Sequence, residues 1–251
     1  MMRMYEAVRL KDITISYDGN SPVIEGASCV INKGSKVGII GPNGAGKSTL
    51  MKAIVGLLPF KGEVEIFGKS LKQSYEKVVY LPQQEEIDWK FPVSVFDVVM
   101  MGRYVHLGWF KGPTKEDYKI VEESLKEVDL WEYRDRQVGK LSGGQRQRVF
   151  LARALAQKAE IFLLDEPFEG VDQETEERIC DFLDRLSKEG KTVIVVHHDL
   201  KKAKDYFDDL IMINHRIVAY GPTSQVFIPT YIEKTFSKES VILEKGLVIL
   251  K

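Results

Sequence analysis

Gly41, Pro42, Asn43, Gly44, Ala45, Gly46, Lys47, Ser48 and Thr49 run consecutively and have the form G-x-x-x-x-G-K-[ST]. The chemistry of this pattern is the holding of phosphate groups. Its glycines let the backbone curl so that successive N–H groups point at phosphate oxygens, and the helix expected to begin near Lys47 adds the positive end of its dipole. Lys47 supplies a point charge for the outer phosphates, and the Ser48 hydroxyl is the expected magnesium ligand. A second anion-binding arrangement, a serine and two glycines at an expected helix start, lies at Leu141, Ser142, Gly143, Gly144 and Gln145.

These groups need rigid elements behind them. An apolar run, Val37 to Ile40, precedes the first motif and a helix-like stretch, Lys47 to Leu58, follows it: a strand, a loop and a helix. Continuous apolar runs recur at Ile161–Leu164, Val193–Val196 and Leu210–Ile213. Strands apolar on both faces and separated by helices indicate a parallel sheet covered on each side. Asp165 and Glu166 close the first of those runs, placing two carboxylates at the strand edge where ligands of open α/β sheets bind. Residues 8–33 alternate and read as antiparallel strands, Val8–Ile15 and Ala27–Ile31, about a Gly19-Asn20 turn. A helix is expected from Glu174 to Lys188, with Ile179, Phe182, Leu183 and Leu186 on one face and Gly190 as its stop. Between the two glycine motifs, about 93–157 reads as an inserted helical lobe. Its central helix starts at a capping pair, Thr114 with Asp117.

Bulk properties narrow the classes. A hydrophobic share of 44% over 251 residues describes a chain able to bury a large core. Mean hydropathy is −0.18, and no apolar run approaches the roughly 18–20 residues that span a bilayer. The N-terminus has no stretch of signal-peptide type, so a cytoplasmic location is expected. A net charge of −1, from 36 basic and 37 acidic side chains, argues against a nucleic-acid partner. Cys29 and Cys180 lack Cys or His neighbours at ligand spacing and read as reduced.

The two motifs together, with Leu141-Ser-Gly-Gly-Gln-Arg-Gln-Arg148 followed by Ile161-Phe-Leu-Leu-Asp-Glu-Pro167, resemble the nucleotide-binding subunit of ABC transporters. Tyr17, Gln83, the Gly170-Val-Asp172 turn and His198 before Asp199 match in order, over about Val8 to Phe236. The resemblance implies an α/β phosphate-loop NTPase core with a mostly parallel sheet, an N-terminal antiparallel β subdomain and the helical lobe. One domain, 1–236, would comprise a core of 1–92 and 158–236 and the lobe, leaving 237–251 as a short tail; the stretch after Gly221 is expected to be too short for the extra regulatory domain some relatives carry. It implies ATP and Mg2+ as ligands. Ser48, Gln83 and Asp165 would hold the metal, Glu166 would be the general base, with Gln83 and His198 beside it, and Tyr17 would stack on adenine. Gln84 follows Gln83, and the Pro-Gln pattern selects Gln83; the order His-Asp selects His198, leaving His197 structural. The segment Leu141–Gln145 would close over the ATP of a second copy of the chain, with Asp172 communicating across that dimer.

Asp88-Trp89-Lys-Phe91-Pro, Met101-Gly-Arg-Tyr104 and His106-Leu-Gly-Trp109 further resemble the ATPases of manganese, zinc and iron uptake systems. The partners implied are integral-membrane permease subunits and, indirectly, an extracytoplasmic metal-binding protein, with the chain peripheral on the cytoplasmic side of the membrane. Trp89, Phe91, Tyr104 and Trp109 suit a groove for a permease helix, with each also able to pack the lobe instead, and Arg103 is expected on that docking surface. His106 has no second ligand nearby. A non-metal substrate, or a non-transport ABC ATPase in nucleic-acid or assembly processes, stays open. A phosphate-loop kinase or GTPase would not need Leu141–Gln145 or His198.

Overall fold

The computed structural model describes residues 6–17, 19, 21–83, 87–107, 111–236, 241–244 and 247–250, the last two stretches by backbone alone; Gln84 and Trp109 lie outside them. The chain opens with β1 (Glu6–Ile15) and β2 (Ile24–Asn32), paired antiparallel. Leu10 and Ile13, three residues apart, are both buried, which strict alternation forbids. A register shift between them, with Asp12 at φ 52°, resets the phase so that both side chains reach one core. β3 (Lys36–Ile40), α1 (Lys47–Ile54), β4 (Lys61–Ile66), β5 (Lys69–Ser70) and β6 (Val78–Leu81) follow. The helix after the phosphate motif is shorter than expected, ending at Ile54 rather than Leu58, with Gly56 at φ 74° just beyond it.

Next come α2 (Val95–Met101), α3 (Lys115–Glu127) and α4 (Gly143–Ala156), then β7 (Ile161–Asp165), α5 (Gln173–Lys188), β8 (Thr192–Val196), α6 (Leu200–Tyr206), β9 (Asp209–Ile213) and β10 (Ile217–Pro222). Two short helices, α7 (Thr223–Val226) and α8 (Pro229–Thr235), and a hairpin of β11 (Val241–Glu244) and β12 (Leu247–Leu250) complete the described elements.

One sheet has the order β2-β1-β4-β5 and is antiparallel; the other has the order β10-β9-β3-β8-β7-β6, with β9, β3, β8, β7 and β6 parallel and β10 antiparallel at the edge. Period two then divides the apolar strands between two cores. Ile161 and Leu163 join α1 and the antiparallel sheet, whereas Phe162 and Leu164 join α2 to α6. All four are fully buried, so truncating any one to alanine costs roughly 2–5 kcal/mol. The antiparallel-before-parallel architecture expected from the strand patterns is what the chain adopts.

α2, α3 and α4 each begin with a reciprocal capping box: Ser94 with Asp97, Thr114 with Asp117, and Ser142 with Gln145. Arg103 corrects an expectation. It is not on a docking surface but 7% exposed. Its Nε donates to Asp117 at 2.8 Å and its Nη1 to the Ala156 carbonyl at 2.6 Å. One guanidinium thus ties the end of α2 to the start of α3 and the end of α4. With Thr114 donating first and Arg103 second, the Asp117 carboxyl is pushed down to about 2. Among the described residues no helix is long and apolar enough to cross a membrane.

Candidate nucleotide site

The phosphate motif leaves β3 at Gly41, where the backbone passes so close to the end of β9 that a Cβ would lie 2.0 Å from the Ile213 carbonyl oxygen. Gly46 caps α1 at φ 92°, and a Cβ there would sit 2.4 Å from the Ile24 side chain. At Gly41 the backbone carbonyl excludes any side chain, and at Gly46 the left-handed backbone strains one and the Ile24 methyl would have to move. Between them Pro42 to Ala45 arch outward, with Asn43 and Gly44 exposed. The Ala45 carbonyl is pinned by the His215 N–H at 3.0 Å. Lys47 lies across the arch, its Nζ donating to the Gly41 and Pro42 carbonyls at 2.9 Å each. This is a cradle of backbone amides and one cation at a helix N-terminus, built for an anion.

Asp165 ends β7, 2% exposed. The Ser48 hydroxyl donates to its Oδ1 at 3.0 Å, so the phosphate loop and the strand-edge carboxylate, 117 residues apart, share one site. The Tyr80 hydroxyl donates to Oδ2, also at 3.0 Å. Tyr80 was absent from the sequence expectations. The signal that could have found it is a tyrosine inside the otherwise aliphatic strand Val78–Leu81, because a buried phenol needs a polar partner.

Glu166 follows at φ 49°, left-handed backbone that non-glycine residues rarely adopt. Burial raises its carboxyl above the ordinary value and Glu169 adds to the shift, while Lys47 and His198 pull it down. Gln83 lies two residues beyond Leu81, whose partner in the ladder is Leu164. It therefore leaves the sheet at the edge that carries Asp165 and Glu166. His198 is exposed after β8, whereas His197 is 2% exposed and sits among Phe168, Phe207, Tyr206 and His198 at ring-centroid distances of 5.3–6.3 Å. The His197 Nε2 finds no hydrogen-bond partner, and burial brings the imidazole down to about 4. Tyr17 shares a 3.0 Å hydrogen bond with the Thr49 hydroxyl and leaves its ring 63% exposed beside the loop.

The second motif is anchored elsewhere. Leu141 is buried, while Ser142 is exposed as the cap of α4, accepting from the Gln145 N–H at 3.3 Å. A Cβ on Gly144 would lie 2.7 Å from Thr175. Thr175 in turn donates to Asp172, the cap of α5, from its N–H at 2.9 Å and its hydroxyl at 3.0 Å, and those two bonds lower the Asp172 carboxyl. Gly144 and Asp172 therefore bring the N-termini of α4 and α5 together at one corner. Later in the chain than Gln83, Trp89 packs edge-on to Phe150 at 5.6 Å and under Arg146 at 4.8 Å, while Phe91 and Tyr104 are 62% and 56% exposed. His106 is engaged with the Gln157 carbonyl at 2.7 Å.

Residues 24–169 match the family model for the ABC transporter. The chain belongs to that family. It is 48% identical over 93% of its length to the manganese transport system ATP-binding protein MntB of Halalkalibacterium halodurans, of which the match covers 93%. It is 46% identical to the zinc transport system ATP-binding protein TroB of Treponema pallidum, over 92% of this chain and 86% of that one. The crystal structure of MJ1267, an ATP-binding cassette of an ABC transporter, in its ADP conformation superposes with a TM-score of 0.77 at 27% identity, covering 91% of this chain and 97% of that one. As the ATP-binding subunit of an ABC transporter, the chain binds and hydrolyses ATP to power transport.

The donors at the site suit a hard cation. Among the described residues no group of three or more His, Cys, Asp or Glu is arranged for a metal ion. One buried carboxylate and one hydroxyl are nevertheless what a Mg2+ bound largely through water and substrate phosphates requires.

Proposed function

We propose that this ATPase powers the import of a transition-metal ion, manganese, zinc or iron, through separate membrane permease subunits. The observation that carries the reading is 46–48% identity along nearly the whole chain to ATP-binding proteins of manganese and zinc transport systems. Identity of that extent includes the lobe, the part of such a subunit that meets its partner. The chain would sit at the cytoplasmic face of the membrane through its permease, with an extracytoplasmic metal-binding protein supplying the ion. On this reading residues 1–236 form one ATPase domain whose core, 1–92 and 158–236, flanks the lobe at about 93–157.

Within the site, Gly41 to Thr49 would cradle the phosphates, Lys47 turning from the loop carbonyls to the outer phosphates, and Tyr17 would stack on adenine. Ser48, Asp165 and Gln83 would hold Mg2+, which when bound neutralises phosphate charge in the transition state. Glu166 accepts a proton from the attacking water, and its raised pKa makes it a better base than an ordinary carboxylate. His198 reads the state of the terminal phosphate. Leu141 to Gln145 of one copy close over the nucleotide of a second copy, with Asp172 at the seam, so two chains make two complete sites. Reconstitution with its permease tests the reading: manganese, zinc or iron should stimulate ATP hydrolysis in the presence of the capture protein. Stimulation by a sugar or peptide instead would remove the metal assignment and leave the ATPase.

A further inference from the structure

β6 is aliphatic at Val78, Val79 and Leu81, and Tyr80 interrupts it with a phenol whose ring packs against the core beneath α1. Its hydroxyl reaches across to the neighbouring strand and donates to Asp165 Oδ2, while Ser48 donates to Oδ1 from α1, both at 3.0 Å. The torsion that turns an aspartate carboxylate about its own axis is broad and roughly two-fold, so a single donor leaves the plane soft. Two donors on opposite oxygens, held by two different elements, fix it. Hydrogen bonds onto an ionised carboxylate are among the stronger neutral-donor bonds.

The two donors are not equivalent. A serine hydroxyl has one proton and two lone pairs, so Ser48 can donate to Oδ1 and still offer oxygen to a cation. Tyr80 lies on the other side, at the oxygen remote from Ser48. We propose that Tyr80 is a positioning residue for the metal site: its hydroxyl holds Asp165 Oδ2 so that Oδ1 and the Ser48 oxygen stay aligned toward the divalent cation. The inference rests on the reading of Asp165 and Ser48 as the Mg2+ site.

The experiment uses Mn2+ as the probe, titrated by paramagnetic resonance into the full chain with a non-hydrolysable ATP analogue. Tyr80→Phe keeps the ring and removes only the donor. Mn2+ affinity should fall about tenfold or more, while affinity for the analogue in EDTA stays at the parent value and the variant still unfolds in one cooperative thermal transition. A Mn2+ affinity within twofold of the parent overturns the inference. The parent and Asp165→Asn separate the two levels of argument. If the parent shows no Mn2+-dependent gain in analogue affinity, the metal-site reading fails and takes the inference with it. If the parent shows the gain, Asp165→Asn loses it and Tyr80→Phe keeps it, the inference alone fails.

Discussion

Glu166 holds a backbone φ of 49°, a conformation that costs a side-chain-bearing residue on the order of 1 kcal/mol or more. The strain turns the carboxylate off the end of β7 and into the field of Lys47, Asp165 and His198. Glu166→Gln should keep ATP binding and lower turnover by roughly 10²–10⁴, whereas Lys47→Ala should weaken binding itself; equilibrium binding beside steady-state hydrolysis separates the two. On the proposed reading Glu166 is the base and is active when ionised, so the rate should rise with pH along a limb displaced upward from the ordinary carboxylate value, and that limb should be missing from Glu166→Gln. The carboxylates were legible as residues because a strand-end Asp-Glu pair after a phosphate loop has few other uses. Tyr80 was not, since its partner lies 85 positions away and only the strand pairing of β6 with β7 brings them together.

Elements were legible wherever a local rule decides them. Thr114 and Asp117 announce α3 at a spacing of three, and the continuous apolar runs announce β7, β8 and β9. β6 went unrecognised as a strand because four residues carry too little periodicity, and Arg103 was misplaced because its two partners lie 14 and 53 residues away. Reversing that charge with Arg103→Glu leaves Asp117 facing another carboxylate in a buried setting. The expected loss is about 3–5 kcal/mol, read as a lower urea midpoint. Thr175, standing between α4 and α5, yields a second test. Gly144→Ala drives a methyl against it and should displace the Ser142 corner from Asp172. ATP binding by the single chain should persist while ATP-dependent dimerisation, followed by size-exclusion chromatography, is lost. Adding Thr175→Ala makes room for the methyl and should restore part of the dimer; no recovery would mean that this contact does not set the corner.

At the scale of the molecule, the core shared by α2 to α6 answers to acid at one place and to a partner at another. His197 is buried neutral beneath the sheet edge, with His198, Asp199, Glu176 and Lys202 the titratable groups around it. Its pKa falls from 6.5 to about 4 in the folded chain, so the unfolded chain takes up the proton first. Its stabilising contribution is complete above pH 6.5 and disappears between pH 6.5 and about 4, at most roughly 3 kcal/mol. The urea midpoint of His197→Phe should be flatter than the parent's across that window. The same core also reaches outward. Trp89 faces in, onto Phe150, but Phe91 and Tyr104 leave more than half their surface in water, an expensive exposure for aromatics on the segment that joins Gln83 to α3. On the proposed reading, that segment carries movement at the nucleotide to the lobe. Phe91→Ser with Tyr104→Ser should therefore leave basal hydrolysis and the thermal midpoint of the isolated subunit intact, yet abolish permease-stimulated hydrolysis and metal uptake. Trp89→Ala should do the reverse, lowering the thermal midpoint by emptying an aromatic contact of the lobe. Full uptake by the double serine variant would place the docking surface elsewhere on the chain.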